Sequence, residues 1–484
     1  MKLSLRLNAV LKILLSIANI LIPFFVGPYV IRVLSRSSYD SFTKATAEIQ
    51  LFLTLATGAI HVYGVRTISQ IRKGKEKVAE FFSEAFAIGL VLNSVFLGGY
   101  LLYAGRYREA IYYVLALQFI GSSLQVEWLN EAEENYLFIT LKSLFVKAVY
   151  LASVFAFLKT DNPLRYGLLA LLAYVLESLI SFVYLLRKNR MRLRGIKPLR
   201  HFRKLALAFL ITNISLLYVQ TDKIMLALLV GEAAVAAYTI PNYIVTSVYN
   251  IVISLFVVAI PRLTSLFHEG KKEEYRKLYN ELVQAFLLVF MPLLVFIFLN
   301  AEALVTLYAA GKYSDSILPL KLFVVHIFFN SLVYIQREGV LYLSEREKPI
   351  IIFNLLGGLF NLLANTALYF LGRFTPAAAV ATLIVSYFSV ALLYRIFIAK
   401  KISPGLRLLN FRACTYFLFS LPAIFVKAFL SRFELPGLAA LALSFALFLT
   451  AYVILLILFK DRVFINNLKT SFRKVKAHLF RKKE

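Results

Sequence analysis

The sequence predicts an all-α, polytopic membrane protein of about fourteen transmembrane helices, built as two six-helix lobes around a central cavity with two extra helices at the C-terminal end. Three observations point there. Apolar stretches recur from Leu7 to Phe459, broken only by short charged or turn-like segments; a span needs roughly 20 apolar residues. The composition is 60% hydrophobic with a mean hydropathy of +0.75, far above that of a soluble domain. The third observation is an internal repeat that relates the two halves of the chain. In hydrocarbon, backbone groups must satisfy one another, and these long runs read as helices.

Taken in order, the first span is 8–34. It is too long for a secretory signal, is interrupted by Lys12 and ends without a small-residue cleavage site, so it reads as an uncleaved helix. Pro23 and Pro28 predict kinks in it. The spans 42–66, 81–104 and 108–129 follow, with a basic break at 66–80. An acidic turn then leads into 137–158 and 164–187. These six make an N-lobe, 1–187, which a strongly basic linker, 188–204, joins to a C-lobe, 205–400. The C-lobe carries 205–230, 236–262, 281–309, 316–343, 349–372 and 376–400, with a kink predicted at Pro292. Two extra spans, 409–431 and 435–460, fill 401–460, and 461–484 is a basic tail.

The formal net charge of +28 would suggest nucleic acid in a soluble protein. Here the basic residues fall in the breaks between spans, so no nucleic-acid partner is expected. With the N-terminus in the cytoplasm, 38 of the 54 lysines and arginines lie on the cytoplasmic side and 12 on the other. That bias places both termini in the cytoplasm of a multi-pass protein of the cell membrane. The linker segment 188–204 also suits anionic membrane lipids, beside its plain role as a topology signal. Aromatics, at 15%, fit interfacial belts. A single cysteine, Cys414, excludes an internal disulfide framework, and in its apolar stretch it reads as packing. The five histidines are scattered, so no metal centre and no cofactor are expected.

The repeat sits in two loops. Arg66-x-x-Ser69 is followed, after four intervening residues, by Gly74-Lys75, and Arg262-x-x-Ser265, 196 residues later, by Gly270-Lys271 at the same spacing. The same offset lays 8–34 on 204–230 and Phe42 on Tyr238. Six spans separate the copies, so the halves share orientation, as in parallel repeats. Two like lobes suit alternating access better than a scaffold.

Several segments carry a family resemblance. Val33-Leu34 to Tyr39 closes the first span and Tyr63-Gly64-Val65-Arg66 the second. Glu127-Trp128-Leu129-Asn130-Glu131-Ala132-Glu133 forms a tryptophan-containing turn after the fourth. Phe157-Leu158-Lys159-Thr160-Asp161, Leu217-Tyr218-x-x-Thr221-Asp222-Lys223-Ile224-Met225-Leu226 and Ile260-Pro261-Arg262-Leu263-Thr264 follow. In order and spacing the chain, over roughly 8–400, resembles the polysaccharide-export flippases of the O-antigen type, within the multidrug/oligosaccharidyl-lipid/polysaccharide exporter superfamily. It departs at Asp40, where that family usually has Gly, and at Leu129-Asn130, where it usually has Gln-Gly. The resemblance implies a flippase, not an enzyme. It would turn a polyprenyl-pyrophosphate-linked oligosaccharide from the cytoplasmic to the outer leaflet, with a proton or sodium gradient as the driving force and other polysaccharide-assembly proteins as partners.

An anionic, sugar-bearing lipid needs cations and polar groups inside apolar space, where ionisable residues are costly and default to functional candidates. Lys147 and Glu177 have similar depth in the fifth and sixth spans and suit a neutralised pair that holds the N-lobe together, with phosphate binding by Lys147 the second reading. Lys12, Arg66 and Lys142 are candidates for a phosphate cradle at the cytoplasmic side, against snorkelling for Lys12 and a loop role for Arg66 shared with Arg262. Asp222 and Lys223 are adjacent on the seventh span and point about 100° apart, so they do not readily neutralise one another. Glu48 is a partner for that pair or, with Asp222, an ion-coupling site. Glu127, Glu131, Glu133 and Glu134 suit a gate against basic loops or a solvated turn, and Gln336, Arg337 and Glu338 are similar gate or binding candidates. Asn354, Asn361 and Asn365 share one helix face, for sugar hydrogen bonds or interhelix packing.

Two other functions compete. A drug or metabolite antiporter of the same superfamily would favour carboxylates over the in-span lysines found here. A membrane-embedded glycan-processing enzyme would be expected to carry a large outer loop and an acidic sugar-phosphate motif, and neither is present.

Overall fold

The computed structural model describes residues 5–71, 74–188, 195–212, 218–402, 405–406, 411–433 and 435–465. In chain order the helices are α1 (Leu5–Val33), α2 (Arg36–Thr57), α3 (Ile60–Ile71), α4 (Lys75–Ala104), α5 (Ala110–Ala116), α6 (Gln118–Ser123) and α7 (Glu127–Ala132). Next come α8 (Tyr136–Phe157), α9 (Pro163–Lys188), α10 (Phe202–Thr212), α11 (Val219–Leu229), α12 (Glu232–Val257) and α13 (Ile260–His268). The rest are α14 (Lys272–Leu299), α15 (Ala301–Ala309), α16 (Ile317–Gln336), α17 (Glu347–Phe370), α18 (Pro376–Lys401), α19 (Phe411–Ser420), α20 (Pro422–Leu430) and α21 (Gly437–Leu458). Among the described residues there is no strand, as a backbone immersed in hydrocarbon requires of an open chain.

Ten helical stretches among the described residues are long and apolar enough to cross a membrane. The other four spans read from the sequence fall on α1, on the sequence of short helices α5 to α7, on α10 and α11, and on α12. α1 runs 29 residues through Pro23 and Pro28, and α14 continues through Pro292.

The repeat has a structural echo. α2 begins at Arg36 and α12 at Glu232, 196 residues on. Each is interrupted by a two-residue turn, Gly58–Ala59 and Val258–Ala259, before a short helix that carries Arg66 or Arg262. Both arginines are exposed.

The chain divides into two compact units, 1–240 with 354–382 and 241–353 with 383–484. In the first, the apolar core gathers at two levels. One gathers Ile49, Leu53, Tyr100, Tyr112 and Phe119. The other gathers Ile68, Phe82, Trp128, Leu129 and Leu185. Trp128 lies flat on α3 because Gly64 has no side chain: a methyl there would come within 2.6 Å of the indole. Ser35 caps α2 by accepting from Ser38 N–H, and Asp161 accepts from Ser35 N–H, tying the α1–α2 turn to the α8–α9 turn.

In the second unit, α14 packs along α16 and α19, and Tyr452 of α21 donates to the Leu288 carbonyl at 2.8 Å. α16 does not stop at Gln336 but passes into a π-helical turn, Arg337–Leu341. Tyr275 donates to the Gly339 carbonyl of that turn at 2.6 Å. Phe256 and Tyr279 close over Gly339, where a Cβ would come within 2.9 Å of either ring. Cys414 is exposed on α19 rather than packed inside, an inexpensive position for a weakly polar thiol that faces lipid.

Candidate functional site

The charges inside the first unit fall into separate groups. The largest joins α7, α8 and α9. Ser143 and Lys147 are one turn apart on α8, and Glu177 and Ser181 are one turn apart on the facing α9. Lys142 reaches between them: its Nζ lies 2.7 Å from Glu127 Oε2, donates to Ser181 Oγ at 2.8 Å and is 3.8 Å from Glu177 Oε1. Ser181 also donates to Glu127 Oε2, and Ser143 donates to Glu177 Oε1 at 2.6 Å. Lys142 is only 6% exposed, so its charge depends on these oxygens. Lys147 meets Glu177 at 3.9 Å, at the outer limit of an ion pair, with 20% of its side chain exposed. Two ammonium groups and two carboxylates thus offset one another, with Lys147 the loosest member.

Asp222 is the opposite case. It is completely buried on α11, and its oxygens are held by neutral donors, Tyr238 Oη at 2.7 Å and Asn365 Nδ2 at 2.7 Å. Thr382 Oγ1 donates to Asn365 Oδ1, and Asn361 Nδ2 donates to Thr382 Oγ1 at 3.2 Å. The chain of bonds ends at the Asn361 side-chain oxygen, Oδ1, buried with no hydrogen-bond partner among the described residues. Tyr218 donates to the Asn354 carbonyl at 2.6 Å. All three asparagines of the α17 stripe are therefore buried in this packing. Lys223, next to Asp222, is half-buried.

Glu48 lies in a third group, midway along α2. Tyr107 donates to its Oε1 at 3.4 Å, while Oε2 is buried with no hydrogen-bond partner among the described residues. One turn back, Lys44 sits 4.6 Å over the Tyr107 ring and 3.3 Å from Glu232 at the start of α12. Gln220 of α11 donates to the Ala47 carbonyl beside it at 2.6 Å.

Three glutamates of the acidic turn are paired: Glu127 with Lys142, Glu131 with His61 at 3.4 Å, and Glu133 with Lys188. Arg66 is exposed on α3 with no ion pair among the described residues. Lys12 lies in α1, and its side chain is outside the described residues.

In the second unit, Gln336 Nε2 donates to the Ala391 and Leu332 carbonyls at 3.1 Å each. Arg337, in the π-helical turn, pairs with Glu338 at 3.0 Å and stacks over Tyr334 at 5.4 Å. π-turns inside α-helices often mark functional positions.

Two groups had no counterpart in the sequence reading. Glu84, fully buried on α4, accepts from Lys197 N–H at 2.7 Å, Arg200 Nη2 at 2.6 Å and His201 Nε2 at 2.7 Å. Tyr63 completes it by donating to His201 Nδ1 at 2.7 Å. The Glu84 hydrogen bond holds the Arg200 guanidinium above its ordinary value. The basic linker is therefore fastened to α4 along its last turn. The Lys44–Glu232 pair was missed as well; the only signal was Lys44 and Glu48 at a four-residue spacing on one helix.

Residues 5–267 match the family described as "Polysaccharide biosynthesis protein". The chain belongs to this family. It is 23% identical over 383 residues to a candidate O-antigen transporter of Shigella dysenteriae, across 75% of this chain and 93% of that one. Its fold is similar to that of the lipid II flippase MurJ in an inward closed conformation, with a TM-score of 0.59, 12% identity, and coverage of 94% of this chain and 98% of that one. An inward-facing multidrug resistance transporter of the MATE family, in the MOP superfamily, gives a TM-score of 0.60 at 13% identity, covering 81% and 95%. These relatives and neighbours are transporters and flippases, not enzymes. As a member of this polysaccharide biosynthesis family, the chain is a multi-pass helical membrane protein. Among the described residues no group of three or more His, Cys, Asp or Glu is placed to hold a metal ion.

Proposed function

We propose that this protein is a flippase for a lipid-linked oligosaccharide, carrying a polyprenyl-pyrophosphate-bound glycan from the cytoplasmic to the outer leaflet of the cell membrane by alternating access. The family, the O-antigen relative and the lipid II flippase fold support that class. The observation that carries it for this chain is the α7–α9 group, which places two lysines within apolar helices. Lys147, held only by a 3.9 Å contact, is the member that can exchange its partner. When a pyrophosphate arrives, Lys147 turns to it, while Glu177 keeps its bond from Ser143 and the nearby Lys142. The charge balance of the group then changes by the charge of the cargo alone.

Asp222 is the coupling residue in this reading, taking up a proton or a sodium ion among its neutral donors. Lys44–Glu232 and the pairs of Glu131 and Glu133 are gates that open and close during the cycle. Arg66, Arg337, Lys12 and Lys223 meet the phosphates or sugars at other stages, and both termini are cytoplasmic.

The test is movement of a labelled polyprenyl-pyrophosphate oligosaccharide across proteoliposomes, with and without an ion gradient. Protein-dependent movement that Lys147→Ala abolishes without changing folding supports the proposal. Gradient-driven efflux of an organic cation, with no movement of the glycan lipid, overturns it in favour of an antiporter.

A further inference from the structure

The second unit contains an apolar recess of about 470 Å³ between α14, α16 and the α19–α20 pair. Each wall is one helical stripe, with Leu294 and Phe298 on α14, Val324 and Phe328 on α16, and Phe417 and Ile424 on α19 and α20. A recess of this size has the volume of a ligand pocket. Left empty, its lining would forfeit the dispersion contacts that packed apolar surfaces gain. In a bilayer the available filler is a hydrocarbon chain.

One end of the recess is cationic. On α16, Lys321 continues the Val324, Val325 and Phe328 stripe by one turn, and its Nζ lies 5.9 Å over the Phe298 ring. On α20, Lys427 continues the stripe beyond Ile424, and its Nζ donates to the Leu299 carbonyl. Both ammonium groups therefore arrive at the end of α14, where Leu299 is the last residue. Leu299 closes the candidate span Lys272–Leu299, and the ends of spans lie against lipid headgroups. Neither lysine is ion-paired to a carboxylate among the described residues.

From this we infer an anionic phospholipid site: an acyl chain lies in the recess and the phosphate rests between Lys321 and Lys427. A greasy trough with cations at one end selects an amphiphile with an anionic head. A bulk phospholipid, always present at the helix termini, meets that description without needing the transport cargo. The site is independent of the flippase reading and stands whatever the protein carries.

The full-length protein is purified in mild detergent and its retained lipid is identified by native mass spectrometry. It is then delipidated and titrated with phosphatidylglycerol or phosphatidylcholine, with thermal unfolding as the readout. One anionic phospholipid retained per chain is expected, with a preference for phosphatidylglycerol of about thirtyfold from two interfacial lysines. Lys321→Gln with Lys427→Gln removes the preference but not the recess. Val325→Trp, or Ile424→Trp on another wall should the first not fold, removes retention but not the charges. Equal affinity for both lipids, or retention unchanged in both kinds of variant, overturns the inference. Recovery of a polyprenyl phosphate instead of a phospholipid, or its displacement of one, also overturns it.

Discussion

The α7–α9 group and the Asp222 network confront the same problem, ionisable side chains withdrawn from water, and solve it differently. Around Lys142, charge is met by charge, Glu127 at 2.7 Å with Glu177 nearby. Around Asp222, a buried carboxylate is met by a tyrosine hydroxyl and an amide, each at 2.7 Å. An ion pair tolerates no unilateral change, because deleting one partner leaves the other buried and uncompensated. A carboxylate held by neutral dipoles can lose or gain its own charge with its scaffold intact, the property needed of a group that binds and releases a cation. The first arrangement suits holding and exchanging anions; the second suits a switch.

Lys142→Ala is expected to give the largest effect, a loss of about 3–5 kcal/mol from leaving Glu127 buried without its cation. It is read from the thermal unfolding of the purified protein; a loss near zero would mean that water already compensates the pair. Removing an amide from the other network is expected to cost less. Asn365→Ala leaves one Asp222 oxygen short of a donor, and about 1–2 kcal/mol is the scale of a hydrogen bond between membrane helices. A penalty equal to that of Lys142→Ala would erase the distinction between the two regions. Asp222→Asn sharpens the contrast further. It keeps shape and most of the bonding, so stability changes by under about 1.5 kcal/mol, while the dependence of transport on an ion gradient disappears. Gradient dependence surviving in that variant removes Asp222 from coupling. Lys147→Ala is expected to change stability least, by about 0–1 kcal/mol, because its contact is long and partly exposed. Transport should nevertheless fail, and a variant that transports normally would take Lys147 off the path of the cargo.

Much of this was legible before folding was considered. The apolar runs announce helices because hydrocarbon leaves the backbone no other partner. The offset that aligns Arg66 with Arg262 also places the starts of α2 and α12 196 residues apart. Lys147 and Glu177 were candidates for one another because they stand at like depth on consecutive spans, and they meet at 3.9 Å. The asparagine stripe of α17 was visible as a helical face. Its destination was not: Asn365 bonds to Asp222, 143 residues away. Glu84 drew no notice because nothing in α4 distinguishes a carboxylate that clamps Arg200, 116 residues later, from one that faces solvent. Lys44 lay inside the span 42–66, yet its partner, Glu232, stands 188 residues further on and gave no local sign of the pairing.

By itself the sequence determined the class of fold, the stretches that form apolar helices, and the residue types available for handling an anion in apolar space. These follow from local hydropathy and from spacing along one chain, which are properties of neighbours. Only the tertiary structure decided which charges meet: Lys142 with Glu127, Lys44 with Glu232, and Asp222 with Tyr238 and Asn365 and, among the described residues, no cation. Those choices depend on the rotation of each helix about its axis and on which helices become neighbours. In a bilayer every apolar face is nearly equivalent, so the rotation is set by a few polar contacts between residues far apart in the chain.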